Sequence, residues 1–230
     1  MAIKVAARLF YRHRVEWTEP PPDDLWSRLR IVNVLNHTSL YEWLYAGTLP
    51  NKLLWMIAAH AVVPIADKTM RRPIVGRFIG VLAPHLVSVT RESDHTWTEV
   101  LDKTDDDSSL ALIFPEGRMK RATGLDKHGQ PMTVRGGIAD ILTAIPDGLM
   151  MIIYSGGLHH VQAPGQAFPR LFKTLRLRFE VVEIESYVKE VRANTEGRFK
   201  RAVKTDLEAR RSLHCDELEA RNGISYPLQQ

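Results

Sequence analysis

The sequence predicts an α/β domain with a largely parallel or mixed central sheet flanked by helices. Three observations carry this. Short apolar runs bounded by turn residues recur at 31–35, 61–66, 86–91, 110–114 and 149–154, the signature of buried strands. Several segments between them repeat apolar residues at helical spacing. The chain has 230 residues, enough for one domain with a substantial core. Strands alternating with helices assemble into a sheet with helices packed on it.

Taken in order, residues 1–30 read as a basic appendage. The segment 1-MAIKVAARLFYRHRVEW-17 is partly amphipathic and the stiff 20-PPP-22 follows. Asp23 and Asp24 then stand where they cap a short helix carrying Leu25, Trp26 and Leu29. The α/β domain is expected over 31–190. It opens with the strand 31-IVNVL-35, a turn, and a helix near Leu40–Thr48. A second strand is expected at 61-AVVPIA-66 and a helix at 73-PIVGRFIGVL-82, with Pro73 in its first turn. The run 86-LVSVTR-91 reads as a strand, and 96-TWTEVLDKT-104 as a helix with Trp97, Val100 and Leu101 on one face. A solvated connection, 105-DDDSS-109, leads to the buried strand 110-LALIF-114. A helix near Gly137–Ala144 and strands at 149-LMMIIY-154 and 175-LRLRFEVVEI-184 complete the domain. The last alternates apolar and charged residues, as a half-exposed strand does. Over 191–230 a charged helix is expected from Thr195 to about Arg221.

Composition narrows the function classes. The net charge of +4 suits an acidic partner, whether lipid phosphate, nucleotide or acidic carrier protein, without choosing among them. A single cysteine, Cys215, leaves no internal disulfide framework and fits a reducing compartment. The opening segment is not expected to act as a secretory signal, because Arg8, Arg12 and Arg14 interrupt it. The longest apolar region, 53–66, contains His60 and Pro64 and falls short of the about 20 residues that cross a bilayer. Any membrane contact is therefore expected at the surface.

Four stretches at strand ends carry candidate chemistry, the place where α/β sheets gather ligands. In 36-NHTSLYE-42, His37 sits on the turn and Glu42 lies inside the following helix. A carboxylate there reaches back to one ring nitrogen and leaves the other free to take a proton. Were both residues helical they would diverge, since five residues turn the chain by about 500°. Taken alone, the same residues also describe a capping histidine and a surface glutamate. The second stretch delivers Arg91 at the end of 89-VTR-91. The third, 112-LIFPEGRMKR-121, runs a buried strand into Pro115, Glu116 and Gly117 and then into Arg118, Lys120 and Arg121. Glu116 accepts hydrogen bonds or fixes a cation, and Arg118 offers a bidentate fork for phosphate. In the fourth, 134-VRGGIAD-140, Arg135 and two glycines open a helix whose free N–H groups suit an anion.

Other chemistries fail on spacing. Neither a G-x-G-x-x-G turn nor a G-x4-G-K-[ST] loop is present. His159 and His160 are adjacent and lack a third ligand nearby, so no metal is expected. Ser155 lacks the glycine that a hydrolase elbow needs before it. Aromatic residues do not interleave with basic patches, so no nucleic-acid partner is expected.

In order and content, these motifs resemble the glycerophosphate and lysophosphatidate acyltransferase family. The resemblance runs from Asn36 to Tyr154: a histidine turn with an acid five residues on, a strand-borne arginine, F-P-E-G with basic residues, then an apolar strand. It implies transfer of an acyl group from a thioester of coenzyme A or acyl carrier protein to a hydroxyl of a lysophospholipid or glycerophosphate-like acceptor. His37 would be the general base and Glu42 its support, and Arg91, Glu116, Gly117, Arg118, Lys120 and Arg135 would bind substrate. No bound cofactor is implied. The expected location is cytoplasmic or peripheral on the inner face of the membrane, with Phe10 and Trp17 of the basic N-terminus as one candidate contact. Three departures stand out. The acid is Glu42 where the family has Asp, Arg118-Met119 replaces Thr-Arg, and 150-MMIIYSGG-157 lacks the family's proline. They leave open an acyltransferase for a different acceptor, such as an amino-acid lipid or metabolite, and a non-catalytic lipid- or carrier-binding relative. A hydrolase that admits water in place of the acceptor is a further reading.

Overall fold

Both faces of the strand β2 (Leu29–Leu35) are buried. Ile31 and Leu35 join one core cluster, while Val32 and Val34 join the other. The strand β6 (Leu149–Ser155) repeats the division, with Met150, Ile152 and Tyr154 on one side and Leu149, Met151 and Ile153 on the other. Strands buried on both faces belong in the middle of a sheet covered by helices. The computed structural model, which describes residues 2–66, 85–89, 95–163, 166, 168–193 and 198–226, has this arrangement.

Among the described residues the other strands are β1 (Arg12–Trp17), β3 (Ala61–Ala66), β4 (His85–Val89), β5 (Leu110–Ile113) and β7 (Thr174–Glu183). The seven form one sheet in the order β1-β7-β6-β2-β5-β3-β4. Every neighbouring pair is parallel except β6 with β7. The mixed α/β class expected from the sequence is the one observed. The helices are α1 (Ala2–Phe10), α2 (Leu25–Arg28), α3 (Asn51–His60), α4 (His95–Thr104), α5 (Gly137–Ala144), α6 (Ile184–Ala193) and α7 (Phe199–Arg221), with a 3₁₀ turn at Glu42–Gly47. One sheet face is covered by Ile138, Ile141 and Leu142 of α5, Tyr187 of α6, and Val203, Leu207 and Leu218 of α7. The opposite face is covered by Ala7 of α1, Leu44 and Tyr45 of the 3₁₀ turn, and Leu53 of α3.

The largest difference from expectation is at the N-terminus. Residues 1–30 are not an appendage, because β1 extends the sheet by pairing along β7 from Arg12↔Thr174 to Trp17↔Phe179. Trp17 meets the edge of the Phe179 ring at 4.9 Å, and Ala7, Tyr11 and Leu25 lie in the core. The sequence 12-RHRVEW-17 hides a strand because an edge strand with one wet face needs no apolar run. Helices α3 and α6 also lie where no helix was expected. The helix expected at 73–82 lies outside the described residues.

Parallel β2, β5 and β6 end together, so the segments after Leu35, Ile113 and Ser155 share one end of the sheet. Antiparallel β7 begins there, with Leu177 opposite Ser155.

Candidate active site

Asn36 ends β2 with φ of 69°, a left-handed conformation that asparagine tolerates better than most residues. The bend turns the backbone N–H groups of Asn36 and His37 toward one carboxylate. Glu116 accepts from Asn36 N at 3.1 Å through Oε1 and from His37 N at 2.8 Å through Oε2. The His37 carbonyl in turn accepts from Lys120 N at 2.8 Å. The 114–120 corner is therefore clamped to the histidine turn through backbone groups on both sides.

The imidazole and its acid meet as the sequence suggested. His37 Nδ1 lies 2.5 Å from Glu42 Oε2, while Glu42 Oε1 accepts from Thr38 N at 2.8 Å. One carboxylate thus orients both the ring and the turn that carries it. A 3₁₀ turn begins at Glu42, and the longer glutamate spans the gap from it. With Nδ1–H donated to a carboxylate, Nε2 is left as the proton acceptor; it has no protein partner among the described residues. The His37 side chain is 19% exposed and that of Glu42 8%, with Phe114 packed 5.1 Å from the imidazole between centroids. Burial works against a charged ring, but the attraction of Glu42, its hydrogen bond and the more distant Glu116 prevail, so the His37 pKa is raised.

The basic corner differs from the expectation of free cations. Glu116 is 1% exposed, with both oxygens engaged by the turn and Arg211 of α7 at 3.3 Å; it faces the fold, not a ligand. Arg118 is paired with Asp126, whose own carboxylate is buried. That carboxyl is lowered to about 2, first by the N–H of Gln130, then by that of His128 and by Arg118. Lys120 Nζ lies 2.9 Å from Glu219 Oε2 of α7 and 4.4 Å over the Tyr226 ring. Gly117 is exposed with φ of 62°, and a Cβ there would sit 3.7 Å from Arg135 Cγ. Arg135 is exposed and stands beside the turn because its N–H donates to Pro115 O at 2.8 Å. Arg91 lies outside the described residues.

Several supporting contacts carried no signal in the sequence. Asn36 Nδ2 donates to Ser155 O at 2.9 Å and to Glu219 Oε1 at 2.8 Å. Thr38 Oγ1 accepts from Leu158 N at 2.9 Å, so the segment after β6 braces the turn despite lacking a proline. Cys215 lies buried on the same helix, its thiol pushed well up by burial, Glu116 and Glu219. His159 is engaged at both nitrogens, by Tyr226 OH and Lys120 O. Glu219, Arg211 and Asp126 come from distant parts of the chain, and only their charged character inside otherwise ordinary segments hinted at them.

No family model and no curated protein matches the sequence. Among solved structures, the crystal structure of the 1-acyl-sn-glycerophosphate (LPA) acyltransferase PlsC from Thermotoga maritima is similar, with a TM-score of 0.59. The likeness covers 95% of this chain and 79% of that one at 18% identity. What the two share at that identity is the fold, the one implied by the motif order between Asn36 and Tyr154.

Proposed function

We propose that the protein is an O-acyltransferase that moves a fatty acyl group from a coenzyme A or carrier-protein thioester to a hydroxyl of a lysophospholipid-like acceptor. The observation that carries this is the His37–Glu42 pair at 2.5 Å, held on a turn that Glu116 locks at two successive N–H groups. Its occurrence on the fold of the Thermotoga maritima LPA acyltransferase supports the same reading. No helix among the described residues is long and apolar enough to cross a membrane.

In this mechanism His37 Nε2 takes the acceptor's hydroxyl proton as its oxygen attacks the thioester carbonyl carbon. The tetrahedral intermediate collapses by breaking the C–S bond, and the proton passes from the imidazolium to the departing thiolate. Glu42 keeps Nδ1–H aligned and stabilises the imidazolium, which asks for no acyl-enzyme. Glu116 acts by positioning. Arg135, exposed beside Gly117, is the cation best placed for an acceptor's phosphate, with Arg91 as the other candidate. Arg118 and Lys120 contribute less, since Asp126 and Glu219 already neutralise them.

That neutralisation favours a second reading, in which the acceptor carries no phosphate. Thiol release from acyl-CoA and acyl carrier protein, measured with lysophosphatidate, glycerol 3-phosphate and uncharged hydroxyl acceptors, separates the two. Turnover restricted to the phosphorylated acceptors, and lost in Arg135→Gln, supports the first. Turnover only on uncharged acceptors replaces it with the second. Release with water alone makes the protein a hydrolase, and none with any acceptor leaves it a non-catalytic binder.

A further inference from the structure

We propose that the cleft between the start of β7 and the end of α7 is a second anion site, built to hold a phosphate ester on Lys173 and Arg176. It has a volume of about 220 Å³ and is lined by these two cations together with His160, Thr174, Arg221 and Asn222. That is smaller than the roughly 300–1,000 Å³ of clefts that enclose whole ligands, a size for a head group and not for a chain.

The charge balance singles out Lys173 and Arg176. Arg221 is shared with Glu16 at 2.6 Å and Glu217 at 2.5 Å, and Arg178 binds the same two acids, so that quartet is neutral. Lys173 is exposed, and no Asp or Glu occurs between Asp147 and Glu180. Arg176 lies opposite Arg14 in the β1–β7 register, a like-charge pairing that destabilises a sheet unless an anion offsets it. Its Nε is buried with no hydrogen-bond partner among the described residues, as are His160 Nδ1 and Asn222 Oδ1. Buried polar atoms are ordinarily satisfied by protein, water or an ion, and three unpaired ones in residues that line one cleft point the same way as the charge balance.

The cleft adjoins the turn after β6, where a Cβ on Gly156 would meet Asn222 Nδ2 at 2.7 Å. It is therefore at the same end of the sheet as His37, yet shares none of that site's residues. The ester has two sources, a soluble phosphate or an anionic lipid head group. Phe172 lines the cleft while 66% exposed and adjoins Leu171 at 46%, which suits a head group entering from a lipid surface. The site does not depend on the acyl-transfer reading.

The test reads His160 by NMR titration. Its ring donates Nε2–H to Thr174 O at 2.8 Å, and burial, with help from Lys173 and Arg176, holds its pKa down. Adding glycerol 3-phosphate to the full chain should saturate and raise that pKa. Sedimentation with phosphatidylcholine vesicles, with and without phosphatidylglycerol, reads the second source. Saturation by the soluble ester alone identifies a free phosphate, selective binding of anionic vesicles identifies a head group, and either supports the site. The variant K173Q/R176Q should weaken the response about 10- to 100-fold, the size of a lost charge-assisted hydrogen bond. K173Q alone, at an exposed position, guards against a folding defect and should weaken it in the same direction. The proposal is overturned if neither probe binds, if both variants bind as the parent does, or if the distant pair K127Q/R201Q weakens binding equally.

Discussion

His37 and Glu42 give the pH profile a definite sign. A carboxylate 2.5 Å from the ring stabilises the imidazolium and, with Glu116, raises the pKa above its ordinary 6.5. The acid limb of kcat/KM should therefore lie above pH 6.5, and in Glu42→Gln it should move to lower pH while kcat falls by up to about 10⁴-fold through the lost tautomer. A limb that stays in place would remove Glu42 from the base's environment. Linkage gives a companion test in stability. A raised folded-state pKa stabilises below the unfolded value and loses that contribution as pH rises through the folded one. The stability difference between parent and Glu42→Gln in urea should thus be larger at pH 5 than at pH 9. His37→Ala should lose about 10²- to 10⁴-fold in turnover while circular dichroism shows the fold retained. At Gly117, φ of 62° makes Gly117→Ala cost about 1–2 kcal/mol by denaturation, although the added methyl would meet only Arg135 at ordinary contact distance.

Among the elements, α7 decides whether the histidine turn is held. Arg211, Cys215 and Glu219 recur at four-residue intervals, so they share one face, and Glu219 receives Asn36, Lys120 and Tyr226 while 2% exposed. Glu219→Gln leaves the Lys120 ammonium buried without its counter-charge, and such a change costs about 3–5 kcal/mol; equilibrium urea unfolding measures it. This dependence explains what was legible in the sequence. Strands β2, β5 and β6 announced themselves because burial on both faces demands continuous apolar runs. The His37–Glu42 pair was legible because both partners are local. Glu116 was read as a ligand-facing group because a charge after a proline turn looks exposed, and its inward orientation depends on N–H groups 79 and 80 residues away. The ties from Glu219 and Arg211 are longer still and leave no periodicity to read.

For the molecule as a whole, the N-terminal segment belongs to the sheet. Arg12–Trp17 would read as a basic tail in isolation, yet its Glu16 engages Arg178 and Arg221 and its backbone covers the β7 edge. Deleting residues 1–17 should expose that edge to other chains, lowering the melting temperature and producing aggregates by light scattering; a monomer of parental stability would refute the strand's role. The reach of α7 across the fold also matters during synthesis. Asn36 and the Glu219 carboxylate that it contacts are 183 residues apart. At about 5–20 residues per second, the ribosome makes the histidine roughly 10–40 s before the carboxylate that steadies its turn. A nascent chain that has not yet reached Glu219 therefore carries His37 on a turn without that frame.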